Sequence, residues 1–475
     1  MVRVRVVRRV GLLVGEAHGE LEPEVALGAD LARDGEVRDA RDRAQQLRPA
    51  GEEVLLLRGS RGVDEGEGDG VTDHARTVSG CAGADGIGPA AGPAGPAHYP
   101  GHPDPEVPMS SLHALLSRHV AQGTMPGVVA SYGTDLDPLV LGATGPDGPA
   151  LTADAIFRIQ SMTKAITAVA TLRLVQEGVL DLDEPVASWL PQLAAPRVLR
   201  APDAPLEDTE PLRRPITVRH LLTCTSGVGM MTTDSPLKRA MISAQVEAGA
   251  EPVALDAGAW LDALASLPLA FQPGEGWRYH HSFGLLGILL GRAGGGSTAQ
   301  VLRRTVLSPA GMVDTGFSVP PEQVHRLLPA WRRTPAGFEQ TEPAAAGFSA
   351  APAPFDVSHS ELVSTLADVH AFLRALLDGR LIDPDLLAEM RRDQIDAGIK
   401  REDSFFPGFW ESGGWGFGVG VTTAGPHRGR FGWSGGLGTD FFVDPDGTCC
   451  LLMMQVEMDE PVFGLLGELQ EVDAP

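Results

Sequence analysis

Phe157-Arg158-Ile159-Gln160-Ser161-Met162-Thr163-Lys164 is the stretch on which the fold of this 475-residue chain turns. A β-prone run, 156–159, delivers the chain to Ser161. A nearly all-apolar run, 165–175, follows Lys164 until Gly178 offers a C-terminal stop. Apolar residues on every side predict a helix buried all round. Three-residue spacing sets Ser161 and Lys164 one turn apart on one face. A serine at such a helix N-terminus gains backbone N–H donors and the positive end of the dipole, which suit a developing oxyanion. Read without chemistry, the serine is an N-cap and the lysine a chance neighbour. The chain contains only three lysines (Lys164, Lys238, Lys400), however, and a buried unpaired ammonium is costly.

The second S-x-x-K, Ser235-Pro236-Leu237-Lys238, reads as an N-cap with proline in the first turn, in a polar stretch. Tyr279 lies in a turn, 273–282, that feeds an apolar helix reaching to about 290; alone it is a packing residue. Gly432-Trp433-Ser434-Gly435-Gly436 formally matches the G-x-S-x-G elbow, but that motif needs strand–turn–helix context and a later histidine. Here a strand follows, and the last histidine is His427. The glycines instead mark a place where backbone approaches a ligand. His220 and Cys224, four apart, are two residues short of a metal site, and neither metal nor cofactor is expected.

Outward from these motifs, a helix is expected over 111–122, a hairpin over 127–132 and 139–143, and mainly helix and loop over 180–345. Strands are expected over 416–421, 438–444 and 449–456, with a last helix over 461–472. Strands at both ends with helices between predict an α+β fold with one sheet closed by both ends of the domain. Residues 1–108 differ in kind. Their charged start gives way to a Gly/Ala/Pro tract, 80–108, which predicts a disordered extension, with Met109 as an alternative start. The apolar run 10–15 is too short for a signal peptide.

A net charge of −24 without a basic stripe argues against nucleic acid. No run is long enough to span a membrane. Four cysteines, two adjacent, are not a disulfide framework and point to the cytoplasm. Asparagine is absent, which excludes any mechanism that needs it.

Taken in order, these motifs resemble the serine β-lactamase-like hydrolases, a family of class C β-lactamases, DD-peptidases and carboxylesterases. The segments 178–186, 216–222, 225–227, 307–317 and 442–445 fit the same family. The resemblance covers about 109–472 and implies an antiparallel sheet flanked by helices, with a mainly helical subdomain. It implies Ser161 as the acylated nucleophile, Lys164 and Tyr279 as the proton-handling pair, and the N–H groups of Ser161 and Gly436 as oxyanion hole. Two departures bear on substrate. His281 stands where lactamases and peptidases commonly place asparagine. Trp433-Ser434-Gly435 replaces a motif that there begins with a cation, and tryptophan offers an apolar face instead. Trp433, Gly435 and His281 are therefore expected to line the substrate, a small neutral ester. The alternatives are a β-lactam or D-amino-acid peptide, with Arg428 or Arg430 supplying the cation, and a non-catalytic scaffold.

Overall fold

A computed structural model describes residues 112–249 and 253–472. The expectations for 1–108 lie outside the described residues. The first helix, α1 (Leu112–Ala121), leads into β1 (Gly127–Gly133) and β2 (Leu139–Gly142), the expected hairpin. After it come α2 (Thr163–Gln176), α3 (His281–Gly294) and α4 (Leu366–Leu377). The chain then adds β3 (Gly413–Trp415), β4 (Gly420–Thr422), β5 (Phe431–Gly435), β6 (Thr439–Val443) and β7 (Cys449–Met453), and ends in α5 (Glu460–Leu469).

The seven strands form one antiparallel sheet in the order β2-β1-β7-β6-β5-β4-β3, so both ends of the domain meet at its centre. Its two faces are assigned by the period-two alternation of each strand. Along β7 and just beyond, Cys449, Leu451 and Met453 join the core around α2 and α3, whereas Cys450, Leu452 and Met454 meet α1 and α5. Burial on both faces explains why β7 reads as an unbroken apolar run.

Three details depart from the sequence expectation. Of the strand expected over 416–421, only 420–421 is strand, in β4; 416–419 is the turn that joins β3 to β4, with Gly418 at φ +75° and Gly416 N bonding Val419 O. The middle segment is not helix and loop alone; it carries two small ribbons, Arg197–Leu199 with Thr209–Pro211 and Ala330–Thr334 with Gly337–Glu342. The run 156–159 yields only the two-residue strand Phe157–Arg158, paired with Val363–Ser364. Among the described residues no helix is long and apolar enough to cross a membrane.

Candidate active site

The site begins where α2 begins. Ser161 sits in a single 3₁₀ turn, Gln160–Met162, that runs directly into the helix. Gln160 is held at φ +48°, a left-handed conformation that a non-glycine residue adopts at a cost. Every residue from Met162 to Leu172 is buried, as the all-apolar pattern requires, and Lys164 is wholly inaccessible.

Lys164 Nζ stands 3.0 Å from Ser161 Oγ and donates to the carbonyl oxygen of His359 at 2.6 Å. Burial drives the amine from its ordinary range down to about 7. Tyr279 comes from the turn ahead of α3. Its hydroxyl hydrogen-bonds Ser161 and accepts from Trp433 Nε1 at 2.6 Å. Burial pushes its phenol well above the usual range. The ammonium position lies 4.4 Å from the Tyr279 ring centroid. Burial thus favours the neutral phenol throughout and the neutral amine above about pH 7 around one serine hydroxyl.

The strand β5 supplies the facing wall. Trp433 reaches Tyr279, and Gly435 lies against the turn that carries Ser161: a Cβ there would strike Ile159 O and Thr439 Oγ1 and come within 3.1 Å of Gln160 Cβ. Gly435→Ala is therefore expected to destabilise the fold by about 1–3 kcal/mol through overpacking. Urea melts of the purified variant check it. Gly436 follows, with its nearest non-neighbouring approach to Gln160 Oε1 at 3.9 Å from an added Cβ.

Not every expected site residue gathers here. His281 is turned into the core: its ring stacks near Trp260, its Nε2 bonds Val246 O at 2.7 Å, and burial pulls it down to about 4. Two residues after the tyrosine, α3 has begun, and the imidazole is committed to the core. Arg430 is likewise withdrawn to the α5 side, donating to Asp444 at 2.8 Å and to Gln470 O at 2.6 Å, and Arg428 is exposed in a surface turn. Ser434 donates to Asp440 at 2.6 Å. Ser235 caps the helix Pro236–Ser243, as expected. His220 is a reciprocal cap, its Nδ1 accepting from Thr217 N at 3.1 Å, while the buried Cys224 thiol is pushed up to about 12 and is inert.

Two contributors escaped the sequence reading. The carbonyl of His359 belongs to the segment 358–364 laid along α2; there Ser358 O accepts from Thr167 Oγ1 and Leu362 N donates to Thr163 Oγ1. The second is a run of aromatic residues, Phe405, Phe406, Phe409 and Trp410, that stacks on the site. Phe405 lies 5.0 Å from Tyr279 and 6.1 Å from Trp433, centroid to centroid. Four aromatic side chains within six residues were the available signal.

Comparison with known proteins bears on the family and the fold. The family model described as Beta-lactamase matches residues 112–465. Esterase EstB of Burkholderia gladioli is 33% identical over 362 residues, covering 70% of this chain and 86% of the esterase. Protein Rv1367c of Mycobacterium tuberculosis is 33% identical over 323 residues, covering 65% of this chain and 79% of its own. Among solved structures, EstCE1, a hydrolase with promiscuous acyltransferase activity, superposes with a TM-score of 0.63 at 22% identity, over 76% of this chain and 97% of its own. The sheet, the S-x-x-K helix and these likenesses agree, and the chain belongs to the β-lactamase family, with the serine β-lactamase-like fold and its likeness on the esterase branch.

Proposed function

We propose that this protein hydrolyses small, neutral carboxylic esters through an acyl-enzyme on Ser161. The observation that carries the reading is the placement of one serine hydroxyl between a buried amine held near 7 and a buried phenol. A neutral amine has two hydrogens and one lone pair. One hydrogen is committed to His359 O, which leaves the lone pair for the proton of Ser161. Ser161 Oγ bonds to the ester carbonyl carbon as its proton passes to Lys164 Nζ. The backbone N–H groups of Ser161 and Gly436 receive the oxyanion. The C–O bond then breaks, and the departing alkoxide takes a proton from the Lys164–Tyr279 pair, whose titration is shared. Water repeats the sequence on the acyl-enzyme and releases the acid.

The choice of a neutral ester is supported by Trp433 in place of a cation and by the withdrawal of Arg430 from this face. Both weaken the alternative of a carboxylate-bearing β-lactam or peptide. Esterase EstB, at 33% identity, favours the same class.

Because Lys164 acts as the free amine, kcat/KM is expected to be low below pH 6 and to rise with an apparent pKa near 7. The test uses the full chain with p-nitrophenyl butyrate across pH 5–9, with acid quenching and peptide mapping. A butyryl group on the peptide carrying Ser161, together with the acid limb, supports the reading. A butyryl group found elsewhere, or a rate independent of pH, refutes it.

A further inference from the structure

The reverse side of β5 holds a polar pair that the proposed chemistry does not use. Phe431 and Trp433 face α2 and Tyr279, so the alternate residues Gly432 and Ser434 face the α5 side. There Ser434 and Asp440 are direct cross-strand partners, and Ser434 Oγ donates to Asp440 Oδ1 at 2.6 Å. Asp440 is only 3% exposed, and burial pushes its carboxyl up to about 6. Its other oxygen has Gln470 Nε2 at 3.5 Å.

The neighbouring charges offset its burial only in part, Arg430 drawing it down. Arg430, at the start of β5, is committed to Asp444 and Gln470. Asp444, at the end of β6, also accepts from Tyr132 of β1, and Cys450 of β7 lies buried beside them. A hollow of about 180 Å³, lined by Thr422, Gly432, Ser434, Asp440 and Gln470 among others, opens beside the pair. A serine paired with a carboxylate in such a place is costlier than two apolar side chains of similar size.

Its position gives a reason for that cost. The next pair in the β5–β6 register is Gly435 with Thr439. Thr439 Oγ1 donates to Ile159 O at 3.1 Å, and Gly435 abuts Ile159 O and Gln160. The tip of the β5–β6 hairpin is thus docked on the turn that presents Ser161, one register step beyond the Ser434–Asp440 bond. A hairpin's register is what its cross-strand pairs hold.

We infer that Ser434 and Asp440 are positioning residues: their bond behind the strand locks the hairpin tip so that Gly436 N–H is aimed at the oxyanion formed at Ser161. This rests on the reading of Gly436 as an oxyanion donor. An interaction acting only on the transition state is felt in kcat rather than in KM.

The test compares the full-length parent with Ser434→Ala, Asp440→Ala, Ser434→Thr and Asp440→Asn at pH 8.5, where Lys164 is neutral. With p-nitrophenyl butyrate, the two alanine variants are expected to lose about tenfold in kcat, a fraction of what a whole oxyanion donor supplies. KM is expected to stay within about twofold, because ground-state binding is untouched. Ser434→Thr keeps the donor and Asp440→Asn keeps the acceptor, so each should recover most of the loss. Backbone amide exchange is followed in parallel, and Ser434→Ala is expected to speed exchange over 434–440 and 159–163 but not over 449–453. Unchanged kcat in Ser434→Ala, or unchanged exchange over 159–163, overturns the inference. Failure of the esterase reading would look different: a parent without hydrolysis leaves the exchange comparison intact, and that comparison then decides alone.

Discussion

Ser161→Ala is expected to lower kcat for p-nitrophenyl butyrate by about 10⁴–10⁶-fold, the scale seen when a serine hydrolase loses its nucleophile. The remaining groups would still bind an ester and polarise its carbonyl, so a small residual rate above water should persist. Truncating one half-buried hydroxyl in a 3₁₀ turn removes no packing of consequence, so the variant should fold as the parent does. Near-UV circular dichroism and the burst of p-nitrophenol at high enzyme concentration check the two halves of this outcome. The parent should show a burst equivalent to its active sites, and the variant none. A variant retaining more than about a hundredth of parental activity would mean that another group attacks the ester.

Lys164→Met is expected to lower kcat by about 10³–10⁴-fold, since it removes the group placed to take the serine proton. Its effect on stability should run the other way. Holding the amine near 7, against 10.5 for an unperturbed lysine, disfavours the folded state by about 5 kcal/mol below pH 7. That penalty fades as pH climbs from 7 to 10.5, because in that window the unfolded chain keeps a proton that the folded chain has shed. Methionine fills similar volume without the charge, but leaves His359 O without its donor, which costs about 1–3 kcal/mol. The variant should therefore be more stable than the parent at pH 6 by about 2–4 kcal/mol, and lose much of that advantage by pH 9. Urea melts at the two pH values decide it. A variant less stable than its parent at pH 6 would show that Lys164 is not held as a penalised amine.

What was legible in the residues was what short range determines. The S-x-x-K helix could be read because eleven consecutive buried positions leave a lysine no structural reason to be there. Ser235 announced its capping role through the proline behind it. Ser434 could be refused as a nucleophile because a strand, not a helix, follows it. Illegible were features made by contacts far apart in the chain. Nothing near 358–364 says that a carbonyl there meets a lysine 195 positions earlier. Nor does anything near His281 say that α3 has already turned it toward Val246 and Trp260. The split between β3 and β4 was visible as glycines, but only tertiary packing selects which of them bends the chain.

The closure of the sheet by strands from opposite ends of the domain has a consequence for its biosynthesis. Val129 of β1 pairs with Met453 of β7, about 320 residues later. At about 5–20 residues per second, the ribosome needs about 16–65 s between making the two. Throughout that interval β1 has only β2 beside it, and its other edge offers unpaired N–H and C=O groups to any strand that drifts past. The domain cannot close its centre until nearly all of it has left the exit tunnel. Its yield on expression should therefore respond to translation speed and to chaperones that shield nascent strand edges more than to the stability of the finished fold.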